Sequence, residues 1–234
     1  MTVETVAFVC AMPMELRPLS KGLRLRKARV EGVAVRSGML GDKTVVAIVT
    51  GMGTRLATKG TERLLDAITP DRVVVVGITG AVDDDTPIGT LIRPEVVVNS
   101  ETGAEYRPSP VGDGTPHGTM WTTNVITRPD ELAALRALGV VSLDMETAAV
   151  AECCERRGIP WSVFRVISDR ATDGSVDDKV FKLSNQDGTP NPLAIIGYFL
   201  RHPLAIPRMA RLAKDVKLAT GRAAAAAILA VRQA

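Results

Sequence analysis

Arg72-Val73-Val74-Val75-Val76-Gly77 decides the fold class. Consecutive β-branched residues cannot alternate between a wet and a dry face, so they suit a strand buried on both sides of a sheet covered by helices. Thr5–Cys10, Val33–Gly38 and Thr44–Thr50 are further short apolar runs of β type, and Leu91–Val98 is another strand candidate. Between Thr50 and Asp66 the periodicity turns helical, after a turn holding Gly51 and Gly53. Residues 99–124 are dominated by Gly, Pro, Ser and Thr. They read as one long irregular loop, the kind that serves as a lid, a binding loop or a partner surface. Pro129 opens a helix with Leu132, Leu135 and Leu138 on one face and Gly139 at its end. Val140–Leu143 reads as a strand, Met145–Arg157 as a helix closed by Gly158 and Pro160, and Trp161–Ile167 as the next strand. Residues 193–234 read as a mostly helical C-terminal tail broken by Pro203 and Pro207. Strands alternating with helices predict a layered α/β fold, with residues 1–234 forming one domain.

Composition excludes several classes. The 234 residues are 46% apolar and 24% charged, the balance of a globular protein with a full core. The net charge of +3 gives no nucleic-acid footprint, and 3% aromatic residues leave little to stack on bases. Three cysteines without a Cys-x-x-Cys pair, and two histidines, leave a zinc site short of ligands. No disulfide framework is visible either, which places the chain in a reducing cytoplasm. Glu4 interrupts the start and no basic region precedes Val6–Met14, so no secretory signal is expected. The apolar runs Leu193–Leu200 and Ala223–Val231 fall short of the ~20 residues a membrane-spanning helix needs. The tail nevertheless carries Arg201, Arg208, Arg211, Lys214, Lys217 and Arg222 against Asp215. Such a run is a solvated helix face or a peripheral membrane contact.

In open α/β sheets, ligands collect beyond the carboxyl ends of the strands. Four places qualify: Cys10-Ala11-Met12-Pro13-Met14-Glu15, Gly51-Met52-Gly53, Gly77-Ile78-Thr79-Gly80, and the pair Asp144-Met145-Glu146 and Ser168-Asp169. A carboxyl group in a dry crevice of this kind is pushed toward its neutral form and can serve as a general acid near neutral pH. Glu15, Glu146 and Asp169 are the candidates. Asp144 and Glu146 equally suit a helix N-terminus, and Asp169 a turn cap. Gly51-x-Gly53 does not complete a dinucleotide fingerprint, and Gly77-x-x-Gly80 lacks a following Lys-Ser/Thr; each reads as a tight turn or a backbone approach for a ligand.

At these positions the chain resembles the nucleoside phosphorylase/nucleosidase superfamily. Val9-Cys10-Ala11-Met12-Pro13-Met14-Glu15 is similar to the N-terminal strand and loop of methylthioadenosine/S-adenosylhomocysteine nucleosidases. Thr50-Gly51-Met52-Gly53 with Ala57–Leu65 resembles a second family segment, and Val76–Ala81 with Ile88-Gly89-Thr90-Leu91-Ile92 a third, where Thr90 replaces the family's Asp. The most specific match is Ser142-Leu143-Asp144-Met145-Glu146-Thr147-Ala148-Ala149-Val150-Ala151, followed by Ile159-Pro160, Arg165 and Ile167-Ser168-Asp169.

The resemblance implies a three-layer α/β/α fold with a mixed central sheet, and cleavage of the N-glycosidic bond of a 5′-modified adenine nucleoside. Asp169 would protonate N7 of the departing purine, and Glu15 would orient or deprotonate the attacking water. Glu146 would bind the ribose hydroxyls with Met145 beneath the sugar, and Ser168 would position Asp169. Met12, Ile78, Gly80 and the backbone near Ile126 would complete the substrate site. No metal or organic cofactor is implied. Arg17 and Arg55 are candidates for binding phosphate as co-substrate, or ordinary surface arginines. A homodimer is implied by the family alone. Val125 stands where the nucleosidases carry an aromatic residue over the base, and the phosphate-binding Gly-Asp-Pro-x-Arg motif of hexameric phosphorylases is absent. The segments Asp187–Pro192, Arg201-His202-Pro203 and Pro207-Arg208-Met209 look more like the hopanoid-associated phosphorylase branch, whose members are thought to remove adenine from adenosylhopane. Two further alternatives are a non-catalytic nucleoside binder and a basic peripheral scaffold acting through the tail.

Overall fold

The computed structural model describes residues 4–125, 127–171 and 206–234. Its strands are β1 (Thr5–Cys10), β2 (Arg26–Val30), β3 (Val33–Leu40), β4 (Lys43–Val49), β5 (Arg72–Ala81), β6 (Leu91–Ile92), β7 (Val96–Asn99), β8 (Glu105–Tyr106), β9 (Thr119–Thr122), β10 (Val140–Asp144) and β11 (Trp161–Arg170). Its helices are α1 (Pro13–Gly22), α2 (Thr54–Ala67), α3 (Pro129–Ala137), α4 (Thr147–Glu155) and α5 (Ile206–Gln233). The strands form one mixed sheet in the order β2-β3-β4-β1-β5-β10-β9-β7-β8, with β11 on the other side of β5 and β6 beyond it.

The valine run behaves as its chemistry requires. Val73 and Val75 enter one core cluster with Ala57, Leu64 and the inner face of α4. Val74 and Val76 enter another, with Leu19, Leu23 and the alanines of α5. Each of the four is at most 1% exposed, and burying a valine contributes roughly 1.5–3 kcal/mol. The three layers are therefore α2 and α4, the sheet, and α1 and α5. Helix α5 presents Ala219, Ala223, Ala227 and Ala230 inward, side chains small enough to bring its backbone close to β5 and β11.

Several details differ from the expectations. Strand β5 does not stop at Gly77 but runs to Ala81, so Gly77-Ile78-Thr79-Gly80 is extended chain, not a turn. The mostly polar β2, Arg26–Val30, was not expected as a strand, because Ala28 and Val30 are its only inward apolar side chains; it is the sheet's edge. Leu91–Val98 is two strands, β6 and β7, separated by Arg93-Pro94-Glu95. The stretch 99–124 contains β8 and β9. Helix α4 begins at Thr147, because Asp144 caps it two residues after the position expected for its start. Leu138 is 70% exposed, past the end of α3. Pro207 does not break the tail: it sits in the first turn of α5, where a missing N–H costs nothing. Pro203 and the rest of 193–205 lie outside the described residues.

The feature that makes room for a site is a fork. Strand β1 pairs with β5 from Arg72 to Val75, and β10 pairs with it at Gly80 and Ala81. Strand β11 pairs along the opposite side from Val73 to Ala81, with one register shift after Ile167. Between Val75 and Gly80, that first edge of β5 therefore has no strand partner, and its backbone groups must be satisfied by side chains.

Candidate functional site

Arg165 fills the fork. It lies in the middle of β11, whose flanking residues Phe164 and Val166 are buried apolar, and it is itself 1% exposed. Its guanidinium donates to Asp144 Oδ2 at 2.7 Å, Glu146 Oε2 at 3.1 Å and Glu15 Oε1 at 3.4 Å. It also donates to the Ile78 carbonyl at 3.0 Å, one of the β5 groups left open by the fork. An isolated buried guanidinium would be prohibitively costly, whereas one surrounded by acceptors is held firmly charged. Burial opposes the charge, but Asp144, Glu146 and Glu15 outweigh it and push the Arg165 pKa up.

Glu15 sits in the first turn of α1. Its Oε2 accepts the Ala11 and Met12 amides at 2.8 and 2.9 Å, capping its own helix from within. Its Oε1 accepts the Ile78 amide at 2.9 Å, the other open group of β5. Burial pushes the Glu15 carboxyl above its usual range, against the pull of Arg165 and of those three amides. Gly77 is fixed by this arrangement: a Cβ there would stand 2.2 Å from Glu15 Oε1 and 2.6 Å from Arg165 Nη1.

Asp144 ends β10 and serves two tasks. Its Oδ2 accepts the Glu146 and Thr147 amides and the Thr147 hydroxyl, starting α4, while also accepting Arg165. Its Oδ1 accepts the Thr122 hydroxyl at 2.6 Å. Glu146, one link on, accepts the Gly53 amide at 2.9 Å and Arg165. Its pKa is pushed up to about 7, mainly by burial, with Arg165 pulling the other way and Asp144 and Glu15 adding repulsion. Met145 lies half-buried between the two acids.

Asp169 comes from the far end of β11. The register shifts between Ile167 and Asp169, so Ser168 is an extra residue and the strand bulges there. The bulge sets Asp169 against Gly80, where a Cβ would stand 3.3 Å from its Oδ2. The Ser168 hydroxyl donates to Asp169 Oδ1 at 2.5 Å. Two glycines of one strand thus each leave space for one carboxylate.

Of the residues proposed from sequence, Glu15, Glu146, Met12 and Ile78 meet in one hydrogen-bonded cluster, the last two through their backbones. Ser168, Asp169 and Gly80 form a second group four residues along β11 from Arg165. Arg17 and Arg55 are exposed, on α1 and the first turn of α2. Val125 is 71% exposed, and Ile126 lies outside the described residues. Two members of the cluster had no role assigned from sequence: Arg165 and, beyond capping, Asp144. The signal for Arg165 was present in Val163-Phe164-Arg165-Val166-Ile167, a lone charge inside an apolar strand, which demands a buried counter-charge. Among the described residues, no group of three or more His, Cys, Asp or Glu is arranged to hold a metal ion. None of the described helices is long and apolar enough to cross a membrane.

Comparison with known proteins gives the following. The family model of the Phosphorylase superfamily matches residues 5–118 and 112–201. A 5′-methylthioadenosine/S-adenosylhomocysteine nucleosidase of Chromohalobacter salexigens is 28% identical over 198 residues, covering 71% of this chain and 84% of that one. A protein of the same name from Mycobacterium tuberculosis is 25% identical over 228 residues, covering 74% and 89%. The crystal structure of the Helicobacter pylori nucleosidase of that name superposes with a TM-score of 0.75 over 100% of both chains at 16% identity. Futalosine hydrolase of the same organism superposes with a TM-score of 0.74 over 99% of both chains at 15% identity.

Proposed function

This chain belongs to the phosphorylase superfamily, and from that premise we propose that it cleaves the N-glycosidic bond of a 5′-modified adenine nucleoside and releases the free base. The observation that carries this reading is the convergence of Glu15 and Glu146 on the buried Arg165, with Asp169 placed on the bulge beyond it. Breaking the C1′–N9 bond leaves positive charge on the sugar and sends the bonding electrons into the purine. Asp169, as the acid, delivers a proton to N7. Ser168 fixes the orientation of its carboxyl. Glu146 accepts the ribose hydroxyls, and Met145 packs beneath the sugar. A water then adds to C1′ and gives a proton to Glu15. Three of the four acceptor positions of Glu15 are filled by amides at 2.8 to 2.9 Å, and the fourth by Arg165 at 3.4 Å. That contact is the weakest of the four, and a water can take its place. This division of an acid on the leaving group and a base on the incoming oxygen is the general solution to glycosyl transfer.

Adenine release is measured on methylthioadenosine, S-adenosylhomocysteine, adenosine, inosine and a lipid-linked adenosine, each with and without phosphate. Turnover of the thioether nucleosides without phosphate is the expected result. A phosphate requirement reassigns the acceptor, and preference for the lipid-linked substrate favours the hopanoid-associated branch. Tight nucleoside binding with no adenine released from any substrate refutes the enzymatic proposal. Asp169→Asn is expected to lower base release by roughly 10²–10⁴-fold, the usual worth of a general acid, with an unchanged melting temperature. Retained turnover removes Asp169 from the acid role. The homodimer belongs to the same proposal and is checked by light scattering. The peripheral membrane contact is checked by vesicle co-sedimentation after reversing Arg208, Arg211, Lys214 and Lys217.

A further inference from the structure

The cluster holds three carboxylates and one guanidinium, so full ionisation would leave two uncompensated negative charges in a dry site. At least one proton must be kept there, and lone-pair geometry shows where. A carboxylate has about four acceptor positions. On Glu15 all four meet donors, and a proton there would displace an amide or Arg165. Asp144 Oδ2 is enclosed by two amides, the Thr147 hydroxyl and the shortest Arg165 contact, and its Oδ1 accepts the Thr122 hydroxyl, so one position is left on Asp144. Glu146 receives only the Gly53 amide on one oxygen and Arg165 on the other, which leaves one free position on each.

We propose that Glu146 holds a proton while the site is empty and surrenders it to solvent when a nucleoside binds, and that Asp144 is the positioning residue behind this, because it occupies Arg165. The proposal rests on the assignment of the ribose hydroxyls to Glu146. Two hydroxyl donors need both free positions of the carboxylate, so the proton that occupies one of them must leave. The balance is simple: the carboxylic acid and the nucleoside give the carboxylate–nucleoside complex and one proton taken up by buffer. No other bond changes. Among the described residues, the charged groups facing Glu146 are Arg165 from β11, Asp144 from the end of β10 and Glu15 from α1, with the Gly53 amide from the loop before α2. Cys10, on β1, is buried beside Glu15 and is itself pushed toward its neutral thiol, mainly by burial. The pKa of Glu146, pushed up to about 7, places the exchange in an accessible range.

The test is calorimetric titration of the full-length protein with a carbon-linked adenosine analogue, which binds but cannot be cleaved. It is run at pH 5.5 to 8.5 in buffers of different ionisation enthalpy. About half a proton is expected to be released per site at pH 7, falling toward zero at pH 8.5, with binding weakening toward tenfold per unit below pH 6. Asp144→Asn keeps the shape, and the Thr122 hydroxyl can turn to accept from the new amide. Loss of its negative charge removes repulsion and frees Arg165 for Glu146, so release at pH 7 disappears and the pH dependence moves to lower pH. Glu146→Gln, which does not depend on the stability of the Asp144 variant, is expected to bind more weakly and with no proton exchange. Failure of the analogue to bind at any pH overturns the proposed function itself. Binding without proton release in the wild type overturns this inference and leaves that function standing. Release that is unchanged in a folded Asp144→Asn variant removes Asp144 from the scheme.

Discussion

Replacing Arg165 by Met removes a buried cation of similar length and leaves Asp144, Glu146 and Glu15 facing one another. The three ion pairs at 2.7, 3.1 and 3.4 Å go, together with the bond to the Ile78 carbonyl at 3.0 Å. The protein can answer only by taking up protons. For each additional carboxyl that must be neutral at pH 7.5, with an unfolded value of about 4.3, the cost is about 1.36 × 3.2, or roughly 4 kcal/mol. That figure agrees with the ~3–5 kcal/mol found when one partner of a buried pair is deleted. At pH 5.5 the same step costs only about 1.6 kcal/mol.

The sign follows from proton binding. These carboxyls titrate higher in the folded state than in the unfolded one, so the folded state binds more protons between the two values. Stability then falls as pH rises, and the penalty is complete only above the folded pKa. Urea denaturation at pH 5.5, 6.5 and 7.5 measures the difference between wild type and variant. It is expected to grow from below 2 to about 4 kcal/mol across that range, and base release is expected to collapse throughout. A loss below about 1 kcal/mol at pH 7.5, or one that does not change with pH, refutes the electrostatic account. Arg165→Lys restores the charge without the planar fork and is expected to fall between the two.

Three further outcomes follow from the same geometry. Gly77→Ala forces a methyl to within 2.2 Å of Glu15 Oε1, and is expected to cost about 1–3 kcal/mol in denaturation and to depress activity through Glu15. Glu146→Gln abolishes a group pushed up from 4.5 to about 7, so its stability relative to wild type is expected to improve by about 3 kcal/mol between pH 4.5 and 8. Ala227→Leu, in the fully buried face of α5, is expected to lower stability by about 1–3 kcal/mol by overpacking, with little effect on the pH profile of activity.

The valine run announced the sheet because β-branched side chains in sequence have few other structural uses, and the glycine and proline punctuation located most helices within a few residues. What escaped was set by partners distant in sequence. Strand β2 is mostly polar and becomes a strand only because β3 pairs with it from Arg26 to Val30. Gly77 and Gly80 look like a turn locally, yet they are glycines because side chains from positions 15, 165 and 169 occupy their space. The acids were conspicuous at strand ends, and the alternative explanation of Asp144 as a helix-terminus residue proved compatible with a place in the site: it starts α4 and binds Arg165. Glu15 does the same for α1, a role its sequence position did not suggest. Arg165 itself stood in plain view, but one sequence could not name its partners.

Three buried acids around one arginine draw on more than a retained proton, because the fold itself supplies positive potential. Helices α1 and α4 begin at the cluster, and the loop leading into α2 points the Gly53 amide at Glu146. The N-terminal end of a helix carries roughly half a positive charge, concentrated on its unpaired amides. The amides of Ala11, Met12, Gly53, Glu146 and Thr147 all donate to these carboxylates. The open edge of β5 adds the Ile78 amide from the sheet. A site built this way needs no reorganisation to accept negative charge, because its dipoles are fixed by backbone already committed to helices and strands. The same economy couples stability to chemistry. Any substitution that frees one carboxylate also uncaps a helix or opens the fork, so activity and folding should respond together at Asp144 and Glu15. They should separate at Asp169, whose carboxyl lies at the β11 bulge and is not among the groups bound to Arg165.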